Sequence, residues 1–300
     1  MDYKKIFRSR NLRLKLLKCL SFIPDRLMLS VQYKLKLKRF PNLKNPKRFT
    51  EKVLVYKMKY RNPLLPVLVD KHRVRGYLEK RGLGGMLPES YGVFKRAGDI
   101  DFAKLPQRFV IKTNDGGGGN NIVICRDKSR LDVPETIRKV NSWLNVKKVN
   151  AGREWAYTGM PESRIMVEEF LENPDNPEGG LEDFKFFCFD GKPFCVVHDG
   201  DRYIGHKRNF YDLEWNNLNI GSDCDNFAED APKPANLQKM IDVASKLSEG
   251  FPFVRVDLYS VGDKVYFGEM TFYPWSGYVQ YDPDEFDFTL GEQFDITSFA

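Results

Sequence analysis

The 300-residue sequence predicts an α+β protein in which antiparallel β-hairpins alternate with helices. Two turn signals, Asp190-Gly191 and Gly262-Asp263, each lie between two apolar segments, and such dipeptides connect the strands of hairpins. A third hairpin is indicated where residues 121–125 return towards residues 109–112 after four consecutive glycines. Residues 235–249 carry apolar side chains at helical spacing, so hairpins and helices share the chain.

Proline and glycine divide the first half of the chain. Residues 1–60 are predicted to be mainly helical, with breaks near Pro24, Pro41 and Pro46, because proline interrupts helical hydrogen bonding. The alternating lysines and leucines of residues 34–38 fit a half-buried strand or a helix equally well. Further elements follow in order: a helix over 70–81, strands over 87–94, 109–112 and 121–125, a helix over 134–143 and a strand over 164–171.

The second half begins with a surface loop over residues 173–180, which contains proline and glycine. It continues with strands over 184–189 and 193–198, a helix over 235–249 and strands over 253–259 and 265–271. We divide the chain into a basic helical segment (1–60), a connecting region (61–108), a central lobe with the glycine loop (109–172) and a C-terminal lobe (173–300).

The net charge is distributed unevenly. Nineteen Lys and Arg residues against three acids give residues 1–61 a net charge of +16, and because the whole chain carries +7, the remaining residues carry −9. This predicts an anionic partner for the basic segment, such as membrane lipid or an anionic polysaccharide, with a solvated helical face as the alternative. No zinc-finger or RNP motif occurs, so we predict no specific nucleic-acid partner.

The cysteines and the lengths of the apolar segments are used to predict the cellular compartment of the protein. Cys19, Cys125, Cys188, Cys195 and Cys224 are odd in number and form no C-x-x-C pair, which suits reduced thiols better than disulfides or a zinc site. No run approaches the roughly 18 apolar residues of a membrane span, and the N-terminus lacks the features of a signal peptide. We therefore expect a cytoplasmic protein, and a peripheral contact of its basic segment with the inner membrane face.

Lys112 ends an apolar segment and is followed by four glycines. Glycine lets backbone N–H groups approach an anion closely, and a lysine supplies positive charge for the same phosphates. The order differs from the P-loop, in which the lysine follows the glycines. We predict a phosphate-binding site here, with a flexible hairpin tip as the alternative. Its residues are Lys112, Asp115, Gly116, Gly117, Gly118 and Gly119.

The last hairpin carries two carboxylates that we expect to face each other. Asp257 and Glu269 each lie six residues from Asp263, so antiparallel pairing about that residue places them opposite one another. Like charges in this position are destabilising unless a cation neutralises them, and Mg²⁺ takes carboxylate oxygens together with phosphates. We predict a Mg²⁺ site, with two solvated acids, or one acid paired structurally with Arg255, as alternatives.

A strand end rich in acids and apolar side chains is predicted to hold a nucleotide base. Its backbone can bind an adenine edge, and its apolar side chains can form a wall of the site. Beyond the following loop, Asp183 and Lys185 share a strand face and would serve a ribose hydroxyl and a phosphate. The strand-end residues are Glu168, Glu169, Phe170 and Leu171.

In their chain order, these features resemble the ATP-grasp superfamily, in which two α+β lobes hold ATP between them. The chain is more closely similar to the TupA-like ATP-grasp family, linked to teichuronopeptide and capsular polysaccharide biosynthesis. The resemblance extends from about residue 40 to the end of the chain. It is carried by residues 69–75 (VDKHRVR), 109–114 (FVIKTN) with the glycine loop, 183–191 (DFKFFCFDG), 201–211 (DRYIGHKRNFY), 254–257 (VRVD) and 268–274 (GEMTFYP).

The resemblance implies ATP and Mg²⁺ as cofactors and a ligase that activates a carboxylate as an acylphosphate, which an amine converts to an amide. It implies Arg255 and Lys185 as catalytic residues. Many ATP-grasp ligases carry Glu-x-Asn at the metal strand, and Thr271 stands in place of that Asn, as a weak or water-mediated metal ligand beside Asp257 and Glu269. The loop at residues 173–180 also lengthens the usual spacing between hinge and ribose residues.

The resemblance also implies where the substrate binds. Arg202, His206 and Arg208 would hold a uronic acid or an amino-acid carboxylate, with a solvated basic loop as the alternative. Expected partners are a small-molecule amino acid and a glycan or lipid-linked sugar. Two other function classes stay open: a glycosyltransferase or glycan kinase of the same pathway, and a non-catalytic binder of anionic surfaces.

Overall fold

The computed structural model describes residues 19–116, 121–144, 152–160 and 162–300. It confirms the predicted α+β class, with helices packed around two antiparallel sheets. The α-helices are α1 (Asp25–Leu37), α2 (Phe49–Lys59), α3 (Leu65–Leu68), α4 (Arg73–Lys80), α5 (Val133–Leu144), α6 (Trp155–Thr158), α7 (Leu237–Ser248) and α8 (Glu285–Gln293). The strands are β1 (Ser90–Phe94), β2 (Phe109–Thr113), β3 (Ile122–Cys125), β4 (Ile165–Glu169), β5 (Asp183–Phe189), β6 (Lys192–Gly200), β7 (Lys207–Tyr211), β8 (Phe253–Val261) and β9 (Lys264–Thr271).

The two sheets follow one another along the chain. The first has the strand order β1-β4-β2-β3 and the second the order β7-β6-β5-β8-β9. The hairpin β2–β3 supports the predicted glycine loop, because Lys112 pairs with Ile122 beside it. Residues 117–120 of that loop lie outside the described residues.

Side-chain alternation gives the second sheet one apolar and one charged face. In β8, Val254, Val256 and Leu258 are buried in the main hydrophobic core, against which α7 packs. Arg255 and Asp257 alternate with them and therefore point to the other face. This charged face is the one that forms the site described below.

Most predicted elements are confirmed, with ends that differ by a few residues. Residues 34–37 belong to α1, so the helical alternative for the lysine–leucine alternation is right. Four elements were not predicted: α3, α6, β7 and α8. Strand β7 escaped prediction because Arg208 and Asn209 are polar yet almost fully buried, where hydrogen bonds and ion pairs replace apolar contacts. The segment boundaries at residues 60, 108 and 172 stay predictions.

The start and the end of the described chain are joined by ion pairs. Arg39 and Arg48 contact Asp284 at 2.7 and 2.6 Å. Asp287 is buried and accepts hydrogen bonds from the backbone N–H and the hydroxyl of Thr50 at 2.9 and 2.7 Å. Two of the arginines in the basic segment are therefore neutralised within the protein.

Asp70 links the start of α4 to the end of β2. Its buried carboxylate accepts hydrogen bonds from the backbone N–H groups of His72 and Arg73 at 2.9 and 3.1 Å. It also accepts one from the side-chain amide of Asn114 at 2.8 Å, and Asn114 in turn accepts one from the backbone N–H of Arg164. This network fixes the end of the strand that carries the predicted phosphate-binding lysine.

We expect Asp70→Ala to lower the free energy of unfolding by about 2–4 kcal/mol, because it leaves two backbone donors and a buried amide without their acceptor. Chemical denaturation at neutral pH measures this. Asp99→Ala is the matched control, since Asp99 is exposed and forms an ion pair with the exposed Arg96, and it should change stability by less than about 0.5 kcal/mol. Equal stabilities of the two variants would contradict the role given to Asp70.

Candidate active site

A cavity of about 910 Å³ lies between the two sheets. Its walls come from β2, β3 and β4 on one side and from β5 to β9 on the other. The predicted site residues that line it are Lys112, Gly116, Glu168, Glu169, Phe170, Leu171, Asp183, Lys185, Arg202, His206, Arg208, Arg255, Asp257 and Glu269. Asp115 and Thr271 are not part of this lining, and Gly117, Gly118 and Gly119 lie outside the described residues.

A row of charged side chains crosses the second sheet from edge to edge. Strand pairing places Arg208 beside Asp199, Asp199 beside Asp183, Lys185 beside Asp257, and Asp257 beside Glu269. Residues paired in an antiparallel sheet point to the same face, so the row faces the cavity. Sheet order therefore brings together charges that are far apart in the sequence.

The predicted acid pair exists, and cations surround it. Asp257 accepts two hydrogen bonds from Arg255, at 2.7 and 2.5 Å, and Glu269 accepts one from Lys71 at 2.8 Å. Arg255 also lies 3.6 Å from Glu269. The alternative prediction, in which Arg255 pairs with one acid, is thus realised within the same cluster.

The pKa values of the two acids are shifted in opposite directions. Burial raises the pKa of Asp257 to about 7, because the opposing charges of Arg255 and Lys185 do not fully offset burial and the nearby Asp183 and Glu269 carboxylates. Burial would also raise the pKa of Glu269, but Lys71 and Arg255 outweigh it and lower this pKa to about 2. Negative charge at Asp257 is therefore incompletely compensated, so the pair favours an additional cation.

A bulge at Gly268 places Glu269 on the same face as Asp257. Beyond the turn, Val261 pairs with Lys264 and Leu258 with Phe267, and the register shifts by one residue before Asp257 meets Glu269. Without the extra residue, Glu269 would oppose Val256 and point to the core face. A Cβ atom at position 268 would lie 2.9 Å from the backbone oxygen of Asp257, so glycine allows this close approach.

We expect Gly268→Ala to lower the free energy of unfolding by about 1–3 kcal/mol, because the strands must separate to accommodate the new methyl group. Gly98→Ala is the matched control, since a Cβ atom at Gly98 would meet nothing within 4 Å. Thermal unfolding of both variants tests this. A Gly268→Ala protein as stable as the Gly98→Ala protein would show that the bulge tolerates a side chain.

Lys185 lies among three aspartates at the centre of the row. It forms ion pairs with Asp183, with Asp199 at 3.2 Å and with Asp257 at 3.9 Å. Burial would raise the pKa of Asp199, but Lys185 and Arg208 lower it well below its usual range. The predicted shared face of Asp183 and Lys185 is confirmed, and one buried oxygen of Asp183 has no hydrogen-bond partner within the described chain.

The first sheet contributes Lys112 and an apolar wall. Lys112 forms an ion pair with Glu168, and both side chains lie on the face lined by Val110, Ile122 and Ile124. This lysine and Glu269 face one cavity, as the sequence predicts. Among the other predicted phosphate-binding residues, Gly116 lines the cavity, whereas the carboxylate of Asp115 accepts a hydrogen bond from Ser163 at 2.6 Å.

The predicted base-binding strand end also lines the cavity. The backbone N–H of Glu169 donates to the backbone oxygen of Glu89 at 2.9 Å, so this donor is used within the first sheet. The guanidinium groups of Arg108 and Arg126 lie 5.3 and 5.6 Å from the centre of the Phe170 ring. Phe170 therefore presents a fixed aromatic surface near the hinge.

The predicted substrate-binding residues are paired with carboxylates of the charged row. Arg202 contacts Asp183 at 3.0 Å, and His206 lies 3.5 Å from Asp199. Arg208 donates to Asp199 at 2.5 Å and also contacts Asp223. Arg208 is buried on β7, so the solvated-loop alternative is wrong for this residue. Arg202 is exposed and His206 is half-buried, with 36% and 35% of their side-chain surfaces accessible.

Three further cavity residues, Lys71, Asp199 and Trp275, had no role assigned to them from the sequence. Lys71 lies in the segment 69–75 that carries the family resemblance, but nothing near it in the sequence places it beside Glu269, and Trp275 follows the segment 268–274 without a pattern that indicates its contacts. Regular counting outwards from the Asp190-Gly191 turn places His198 opposite Asp183, and a register shift between Phe187 and Cys188 brings Asp199 to that position instead.

Trp275 covers the arginines of the second sheet. Its ring lies 4.8 Å from the guanidinium of Arg208 and 5.5 Å from that of Arg255. The turn that presents it has positive φ at Trp275 and Ser276, a costly conformation for residues other than glycine. The buried Lys57 fixes the turn by donating to the backbone oxygen and the hydroxyl of Ser276, both at 2.6 Å.

The residues present fit a Mg²⁺ ion held by two carboxylates. No group of three or more His, Cys, Asp or Glu side chains suited to a metal occurs in the described parts of the chain. Mg²⁺, however, commonly takes one or two carboxylates and completes its shell with water and substrate phosphates. Asp257 and Glu269 provide such a pair, whereas the hydroxyl of Thr271 lies between Arg255 and Glu269, at 3.3 Å from each.

One family model and several solved structures are similar to this chain. The family model described as TupA-like ATPgrasp matches residues 51–295. A search of curated proteins finds no match. Similar solved structures include D-alanine–D-alanine ligase from Bacillus anthracis, with 19% identity, a TM-score of 0.43, and coverage of 68% of this chain and 57% of that chain.

Two further similar structures come from other bacteria. N5-carboxyaminoimidazole synthetase from Staphylococcus aureus, complexed with ADP, has 15% identity and a TM-score of 0.43, covering 68% of this chain and 44% of that chain. A RimK domain ATP-grasp protein from Sphaerobacter thermophilus has 13% identity and a TM-score of 0.43, covering 76% of this chain and 68% of that chain. The chain thus spans about half the length of the first two relatives. On the family match over residues 51–295, this chain belongs to the TupA-like ATP-grasp family.

Proposed function

We propose that the chain is an ATP- and Mg²⁺-dependent carboxylate–amine ligase that joins an amino acid to a uronic acid or a similar group of a cell-surface polysaccharide precursor. The observation that carries this proposal is one cavity with Lys112 on one wall and the Asp257–Glu269 pair on the other. Family membership supports ATP as the energy source. The substrate class rests on the family resemblance and on the cationic residues beside the pair.

The reaction has two steps in which atoms balance. A carboxylate oxygen attacks the γ-phosphorus of ATP, which forms the acylphosphate and releases ADP. The amine nitrogen then attacks the acyl carbon, phosphate leaves, and the nitrogen loses a proton to give the amide. Because carboxylate and triphosphate are both anions, catalysis consists mainly of holding them together and neutralising their charge.

The residues of the cavity suit this task. Lys112 and Lys185 would hold phosphates from opposite walls, and Arg255 would stabilise negative charge on the transferring group. Asp257 and Glu269 would hold Mg²⁺, which when bound neutralises phosphate charge. The unpartnered buried oxygen of Asp183 is suited to accept a hydrogen bond from a ribose hydroxyl.

Cationic residues beside the charged row would bind the acid to be activated. Arg202 and His206 are partly exposed at the cavity, and the buried Nε2 atom of His206 has no hydrogen-bond partner within the described chain. Arg208 is saturated by Asp199 and Asp223. We therefore assign substrate contact to Arg202 and His206 and a supporting role to Arg208.

Trapping of the acylphosphate tests the proposal. The full chain is incubated with ATP, Mg²⁺ and candidate amino acids or uronic acids, and ADP release is measured with and without hydroxylamine. We expect acid-dependent ADP release and a hydroxamate of the activated acid in mass spectrometry. A phosphorylated sugar without hydroxamate would identify a glycan kinase instead, and no ADP release with any acid would favour a non-catalytic binder.

A further inference from the structure

Helix α1 exposes an apolar stripe on the side away from the protein. Met28, Leu29, Tyr33 and Leu37 of this helix are buried. Leu27, Val31 and Leu35 are instead 57%, 43% and 49% exposed. Their spacing of four residues aligns them along one line of the helix, which we call the α1 stripe.

Two phenylalanines extend the α1 stripe beyond the helix ends. Phe22 is 81% exposed before the helix and Phe40 is 69% exposed after it. These two residues and the stripe make up five of the nine large hydrophobic side chains that are exposed in the described chain. Single exposed apolar residues are ordinary, but such a concentration on one element marks a contact surface.

The charge around the α1 stripe is positive and uncompensated. Arg26, Lys34 and Lys38 border it, and none has a carboxylate within 4 Å among the described residues. The ammonium groups of Lys34 and Lys38 donate to backbone oxygens at the C-terminal end of α1, which leaves their charge unneutralised. The single acid of the helix, Asp25, is paired with Arg153 at 2.7 Å.

We propose that this face of α1 docks onto a lipid bilayer that contains anionic headgroups. Helices with an apolar stripe and flanking basic residues lie in the membrane plane, with the apolar side chains at the acyl boundary and the basic ones at the phosphates. Nucleic acid or a charged glycan would match the lysines and leave the stripe in water. The inference does not depend on the proposed function.

The length of α1 excludes a spanning arrangement. Thirteen residues measure about 20 Å as a helix, less than the roughly 30 Å of a hydrocarbon core. In the described parts of the chain, no helix is both long and apolar enough to cross a bilayer. Helix α1 therefore binds parallel to the membrane, and the attachment is reversible and sensitive to salt.

Flotation of the full chain with vesicles tests the proposal. We expect flotation with vesicles of phosphatidylcholine and phosphatidylserine and little with phosphatidylcholine alone. The triple variant Leu27→Gln, Val31→Gln, Leu35→Gln should lose flotation. The triple variant Arg26→Gln, Lys34→Gln, Lys38→Gln should bind anionic vesicles about 100-fold more weakly, since each basic residue near such a surface contributes roughly fivefold.

Matched controls distinguish binding through this surface from non-specific hydrophobic binding and from an effect of the total net charge. Leu64→Gln removes an exposed leucine elsewhere, and the triple variant Arg96→Gln, Lys104→Gln, Arg130→Gln removes three exposed charges elsewhere. Both should float like the wild type, and all variants should keep its melting temperature. Equal flotation of the stripe variant and the wild type would overturn the proposal. So would a wild-type dimer that the stripe variant abolishes, because a second copy would then be the occupant.

Discussion

Replacing Glu269 by glutamine is expected to lower ATP turnover by on the order of 100- to 1000-fold while the protein stays folded. Glutamine keeps the size of the side chain but removes the negative charge that faces Asp257. The predicted Mg²⁺ site then loses one of its two carboxylates, and Lys71 loses its partner at 2.8 Å. ADP release at saturating ATP and acid measures the effect.

Glu249→Gln is the matched control for this variant. Glu249 also pairs with an arginine, at 3.1 Å from Arg81, but its side chain is 64% exposed and does not line the cavity. Its replacement should leave turnover within about twofold, because exposed pairs contribute little. Wild-type turnover in Glu269→Gln would contradict the assignment of the acid pair.

The effect of the same variant on stability is expected to depend on pH. Lys71 and Arg255 lower the pKa of Glu269 from its ordinary 4.5 to about 2 in the folded protein. A carboxylate whose pKa is lowered by folding stabilises the folded state at pH values above its pKa in the unfolded chain. This contribution is lost as the pH falls through the pKa of the folded state. The difference in melting temperature between the wild type and Glu269→Gln should therefore be largest above about pH 5. It should become smaller as the pH falls towards 2.

The acid pair shows what can be predicted about cross-strand pairs by counting residues from a turn. Counting six residues on each side of Asp263 correctly places Asp257 opposite Glu269. The actual turn centre lies between Gly262 and Asp263, and counting from there would pair Asp257 with Gly268. The bulge at Gly268 restores the pairing, so the prediction is right although the assumed regular ladder is not.

Local patterns also predicted the hairpins β5–β6 and β8–β9 of the second sheet and the hairpin under the glycine loop, because each joins segments that are neighbours along the chain. They could not predict β7, because an arginine such as Arg208 normally indicates a surface position. It is buried here because it pairs with Asp199, which the local sequence does not show. Lys71 meets Glu269 across 198 residues of sequence, and no periodicity carries such information. Contacts of this kind arise only from the order of the strands and the packing of the two sheets.

Replacing Lys112 by methionine is expected to lower kcat/KM for ATP by about 100-fold or more, because the charge for the phosphates on the first sheet is lost. Lys112 also pairs with Glu168, whose side chain is only 9% exposed. Its loss therefore leaves a nearly buried carboxylate without a partner, and part of the effect of the single variant will be lower stability. Lys104→Met, at a side chain that is 86% exposed, is the control and should behave as the wild type.

A double variant separates the two roles of Lys112. Lys112→Met with Glu168→Gln removes the unpaired charge, so its melting temperature should recover towards that of the wild type. If Lys112 binds phosphate, activity should stay low in the double variant, because the ammonium group that would contact the phosphates is still missing. If Lys112 serves only to neutralise Glu168, activity should recover together with stability. Recovery of both would show that Lys112 does not bind phosphate, since the other lysine assigned to phosphate, Lys185, lies on the opposite sheet among three aspartates.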